Sequence, residues 1–116
     1  MDNHDPLIFI AHILESIALI EKYTQDKAKE DFLNSIELQD QIVRRLEIVG
    51  EAVRNFSKTL KESYPNIPWK EIAGMRDVLI HEYFGIDLAI TWTAATVGIP
   101  KLKRQILAIK KDLQRK

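Results

Sequence analysis

Apolar positions recur along this chain at helical spacing almost throughout. Ile10, Ile13, Leu14, Ile17 and Ile20 are three and four residues apart, which predicts an amphipathic helix ending near Tyr23. Asp5-Pro6 marks its start: a carboxylate able to receive unpaired amides, then a proline at the first helical position. The stretch from Thr24 to Lys29 is polar, and Asp26 is placed to cap a short second helix containing Ala28 and Phe32. A third start lies near Asn34-Ser35. From there Ile36, Ile42, Val43, Leu46, Val49, Val53, Phe56 and Leu60 hold one stripe, read as a single long helix from about Ser35 to Ser63. Gly50 interrupts it at a cost of up to about 1 kcal/mol relative to alanine, which close approach of a neighbouring helix would explain.

Tyr64-Pro65-Asn66-Ile67-Pro68 ends that helix, because each proline disfavours helix in the residue before it. The next helix runs from Trp69 to about Phe84, with Gly85 as its stop and Asp87 as the cap of the last helix. There Leu88, Trp92, Ala95, Ile99, Leu102, Ile106, Ile109 and Leu113 alternate spacings of four and three. Pro100 lacks an amide hydrogen, so a kink is expected near Gly98. No strand alternation, repeat or linker is visible. The fold class predicted is all-α: an up-and-down bundle of four main helices and one short one, in a single domain spanning residues 1–116.

Composition narrows the chemistry. The 116 residues are 46% hydrophobic and 29% charged, a globular balance able to bury a core without staples. Lys+Arg and Asp+Glu are 17 each, so a polyanion would have to be held by a local patch. Cysteine is absent, which removes disulfides, thiolate nucleophiles and cysteine zinc sites and permits a cytoplasmic location. The polar N-terminus does not read as a signal peptide, and Leu7–Ile20 is broken by His12, Glu15 and Ser16, too short and polar to span a bilayer.

The candidate chemistry lies in residues 74 to 87, where Arg76, Asp77, His81, Glu82 and Tyr83 fall inside eight positions of an otherwise apolar helix. Arginine is a permanent cation that grips phosphate, histidine moves a proton near neutral pH, and tyrosine adds a hydroxyl and a stacking face. A phosphodiester, and RNA in particular, is the substrate they suggest. On an ideal helix Arg76 and Tyr83 share a face, but His81 is rotated by about 140° from Arg76. Either the helix loosens near His81, or two copies of it meet and supply complementary groups. The second is preferred, since the long apolar stripes also offer a dimer surface. Each residue also has a plainer reading: Arg76 in an internal ion pair, His81 a satisfied core residue, Tyr83 a packing ring.

Asp77 lies four residues before His81 and could orient the imidazole. The histidines His4, His12 and His81 are scattered, so no metal site is expected and metal-independent chemistry without a cofactor is the better reading. Glu51 and Arg54, with Arg44 and Arg45, read as salt-bridged boundary residues, the alternative being a wider phosphate surface. Trp69 and Trp92 read as core. Beyond Pro100 the outward face is basic: Lys101, Lys103, Arg104, Lys110, Lys111, Arg115 and Lys116. Such a face is ordinarily only solvated, and its other use is in drawing RNA closer, an effect that salt weakens.

The stretches Arg45–Ala52, Ile67–Asp77 and His81–Asp87 resemble the HepT toxins of the HEPN superfamily over nearly the whole chain. The family motif (Arg, four to six residues, His, one residue, Tyr) is matched by Arg76, His81 and Tyr83. The resemblance implies an all-helical homodimer with the two motifs facing across a cleft, encoded beside a minimal nucleotidyltransferase of the MntA type that acts as antitoxin. It implies a metal-independent endoribonuclease in which Arg76 and His81 are catalytic and Asp77 stands at the polar position after the motif arginine. Tyr83 would contact substrate and be the tyrosine that the partner modifies with AMP. Two other classes compete with it: a non-catalytic nucleotide-binding module working with a nucleotidyltransferase, and a dimeric scaffold.

Overall fold

The computed structural model describes residues 5–81 and 88–115, giving side chains for 5–75 and 88–115 and backbone alone for 76–81. Within them the chain forms α1 (Pro6–Thr24), α2 (Lys29–Leu33), α3 (Ile36–Arg54), α4 (Lys58–Ser63), α5 (Trp69–His81), α6 (Leu88–Thr93), a five-residue π-turn (Ala94–Gly98) and α7 (Ile99–Gln114). No strand occurs among the described residues. The architecture is an all-α, HEPN-like bundle in which α3 is central, packed between α1 and α5, while α7 lies against α1. No described helix is long and apolar enough to cross a membrane.

The helix starts follow local chemistry. Asp5 accepts the Leu7 amide at 2.9 Å, and Ser35 accepts the Leu38 amide at 3.1 Å. At α2 the expected cap is displaced: Asp26 sits in the left-handed region at φ 59°, and Asp31, three residues into the turn, reaches back to the Ala28 amide at 2.7 Å. Ile10, Ile13, Ile17 and Ile20 of α1 meet Ile42, Leu46, Val49 and Val53 of α3 in the core, completed by Ile99, Leu102, Ile106 and Ile109. Gly50 is buried in this layer.

Two differences from the sequence reading stand out. The helix expected from Ser35 to Ser63 is two helices, because Asn55 closes α3 and the Ser57 hydroxyl accepts the Leu60 amide at 3.1 Å to open α4. Phe56 and Leu60 remain buried across the break, but Ile36 is 75% exposed and does not belong to the core stripe. Near Gly98 the expected kink takes the form of a widened turn. The Ile99 amide donates to the Ala94 carbonyl five residues back, and Thr93, Gly98 and Ile99 keep helical dihedrals. The π-turn thus absorbs Pro100, which has no amide hydrogen to give.

Candidate active site

Of the residues singled out for chemistry, Arg76, Asp77 and His81 lie on the described backbone of α5, and their side chains lie outside the described residues. Glu82 and Tyr83 lie outside the described residues altogether, as do Gly85 and Asp87. The structure does define how the helix carrying the motif is held. Trp69 is buried at its first residue, packed edge-on against Phe56 at a centroid distance of 5.6 Å. Phe56 in turn meets Phe9 of α1 at 6.1 Å. The Trp69 indole donates to the carbonyls of Lys61 and Tyr64, both at 3.0 Å, so its polar edge is satisfied inside the core. One turn on, the Arg54 guanidinium donates from Nη2 to the Ala73 carbonyl at 3.2 Å. This arginine ties α3 to the backbone three residues before Arg76.

The reading of Trp69 and Trp92 as packing residues holds: Trp92 is half-buried and stacks at a tilt on the buried Phe32, centroid to centroid 5.3 Å. Arg54, expected in a boundary ion pair, has a further role as a backbone clamp. Arg44 is exposed and borders a surface depression with Glu47, Ile48 and Glu51. His12 is exposed on α1. Among the described residues no group of three His, Cys, Asp or Glu is gathered as a metal would need.

The other side of α5 faces a groove that the sequence reading did not anticipate. Pro68, Ile72 and Met75 form one wall, and Ala94, Gly98, Ile99, Lys101, Leu102 and Gln105 form the opposite one. The cavity between them is about 160 Å³ and almost wholly apolar. Beyond Gln105 it leads to a second depression bordered by Tyr64, Pro65, Asn66, Ile67 and Ala108. At its far end the Tyr64 hydroxyl donates to Asp112 at 2.9 Å. That bond, with partial burial and the carboxylate charge, holds the Tyr64 phenol above its ordinary pKa of 10.0. Nothing in the residue order of this helix signalled that the neighbouring wall stands off from Ile72 and Met75.

Comparison with known proteins bears on what this frame carries. The profile of the family described as Ribonuclease HepT-like matches residues 13–109, a span that includes Arg76, His81 and Tyr83. A Methanocaldococcus jannaschii protein named as a gamma-glutamylcyclotransferase and candidate RNase is 52% identical over 111 residues. The match covers 96% of this chain and 50% of that protein, so the chain spans about half its length. A candidate RNase of the same organism is 41% identical over 116 residues, all of both chains. A probable ribonuclease HepT of Thermococcus cleftensis is 42% identical over 103 residues, 89% of this chain and 94% of that one. No solved structure matches the chain. With the helical bundle, the motif spacing in the sequence and full-length relatives all in agreement, the chain belongs to the HepT-like ribonuclease family.

Proposed function

We propose that this protein is a metal-independent endoribonuclease, the toxin of a toxin–antitoxin pair, acting as a homodimer in the cytoplasm. The observation that carries the reading is the family match across the Arg76–His81–Tyr83 motif. The helix bearing that motif is clamped at Trp69 and Ala73, which supports a site needing fixed geometry. In this reading His81 takes the proton from a ribose 2′-hydroxyl, whose oxygen attacks the adjacent phosphorus. Arg76 holds the phosphate and stabilises the charge that builds on its oxygens. The 5′-oxygen departs as it receives a proton, leaving a 2′,3′-cyclic phosphate. Asp77, one turn before His81, orients the imidazole, and Tyr83 lies against the substrate.

The helical backbone continues through residue 81, which sets positions 76 and 81 about 140° apart around the axis. That separation favours a site assembled from two copies over one assembled within a single straight helix. Ile90 and Val97, seven residues apart and 60% and 65% exposed, provide apolar surface for such a contact. A partner nucleotidyltransferase of the MntA type would silence the enzyme by adding AMP to Tyr83, since new bulk and negative charge at that position repel a phosphodiester.

Purified protein incubated with RNA in EDTA tests the proposal. Cleavage with cyclic-phosphate ends is expected, and Arg76→Ala and His81→Ala should each slow it at least about a hundredfold while leaving the urea midpoint unchanged. Full activity in either variant would remove that residue from the mechanism. Intact RNA after incubation with the unaltered protein would overturn the proposal as a whole.

A further inference from the structure

We infer that the groove between α7 and the segment 63–75 is a binding track for single-stranded RNA, leading from the motif helix along the basic edge of α7. The inference rests on the ribonuclease reading for the identity of its ligand and on a separate set of residues for its geometry.

On α7, Leu102, Ile106 and Ile109 are buried in the core. Turning away from them by about 100° per residue brings Lys101, Gln105 and Ala108 to the groove wall, which they border. About 70° further around the helix, on its solvent side, come Arg104, Lys111 and Arg115, all exposed. From Lys101 to Arg115 this edge runs about 21 Å. The pairing of these cations is uneven. Lys103, turned toward α1, is held by Glu21 at 2.9 Å. Lys101, Arg104 and Lys111 form no ion pair among the described residues, and Arg115 is only loosely associated with Asp112, at 4.0 Å. Lys101 at the groove and Arg104 and Lys111 on the adjoining solvent side put three unneutralised cations along one side of α7, a charge pattern that suits the phosphates of an extended strand.

The groove beneath suits bases more than a lipid or an acidic peptide. Its walls are apolar at Ile72, Met75 and Leu102, and the side-chain amides of Gln105 and Asn66 border it with no partner among the described residues. An amide that both donates and accepts, beside an apolar slot, fits the edge and face of an unstacked base. One end of the track is Met75, the residue before Arg76, and the other is Asp112, whose carboxylate is engaged by Tyr64 and sets the limit for a polyanion. A strand lying here passes directly from the motif helix onto the basic rim.

Binding is measured by fluorescence anisotropy with a labelled twelve-nucleotide single-stranded RNA of mixed sequence, in the His81→Ala background so that the probe survives. The triple variant Lys101→Ala/Arg104→Ala/Lys111→Ala, all of whose changes lie at the surface, should bind at least about tenfold more weakly at about 0.1 M salt. Its plot of log affinity against log salt should be shallower by about 2, the loss of three single-strand phosphate contacts. Gln105→Ala should weaken binding without changing that slope. Unchanged affinity and slope in the triple variant, with folding intact by circular dichroism, would overturn the track. So would a polyglutamate peptide that binds as tightly as the RNA through the same three residues. If the unaltered protein binds RNA through this rim but cleaves none, the track stands and the ribonuclease reading fails. If it cleaves RNA and the triple variant binds normally, the reverse holds.

Discussion

The two sides of α5 are built on opposite terms. Toward α3 the helix is closed: Trp69 is buried against Phe56 with both indole hydrogen bonds inside the fold, and Arg54 grips the Ala73 carbonyl. Toward α7 it is open, with Ile72 and Met75 half-exposed over a cavity that Gly98 leaves unfilled. A close-packed interior tolerates few voids, so a gap beside a firmly held helix is informative. The closed side fixes the start of α5, and the open side leaves a groove along it.

Substitutions on each side should break or sharpen that contrast. The largest effect is expected at Trp69→Ala, which empties the closed side. About 3–5 kcal/mol of stability should be lost, read as a lower urea midpoint. RNA cleavage should fall with it as the motif helix loses its anchor. A smaller loss, about 1 kcal/mol, is expected for Arg54→Ala, which removes the clamp on Ala73. Amide exchange in residues 72–76 should quicken correspondingly. On the open side the sign reverses. A Cβ at Gly98 meets nothing within 4 Å and the backbone there is helical, so Gly98→Ala should raise stability by up to about 1 kcal/mol. A lower melting temperature would mean that the groove wall closes more tightly than described.

The smallest effect is at the far end of the groove. The raised Tyr64 pKa means that its bond to Asp112 contributes fully below the unfolded value of about 10 and is lost as pH rises through the folded one. Stability measured by urea titration should therefore fall more steeply above pH 10 in the unaltered protein than in Tyr64→Phe.

Much of this could be read from residue order. The alternation from Leu88 to Leu113 placed the last helix, and Asp5-Pro6 and Ser35 marked two starts that the structure keeps. The break after Arg54 was hidden because Val53, Phe56 and Leu60 keep helical spacing across it, both helices burying the same side. Its only local sign was the pair Asn55 and Ser57, a closing residue followed by an opening cap. Asp26 misled for the opposite reason: its side chain resembled a cap, whereas Asp31 performs that task from inside the turn. The spacing of Arg76, His81 and Tyr83 could be read in the sequence as a motif, because the family model spans all three. The groove could not, since periodicity states which side of a helix is apolar and says nothing of how near the next helix comes.

The central claim, that Arg76 and His81 act together across a pair of subunits, is most directly tested by mixing two inactive variants. Arg76→Ala and His81→Ala should each be silent alone. Unfolded together and refolded, they should form mixed dimers in which one of the two sites regains both residues. Random pairing makes half of the dimers mixed, so the account predicts RNA cleavage at about a quarter of the unaltered rate. A mixture as silent as its parents, in which each variant still pairs with the unaltered protein, would contradict it.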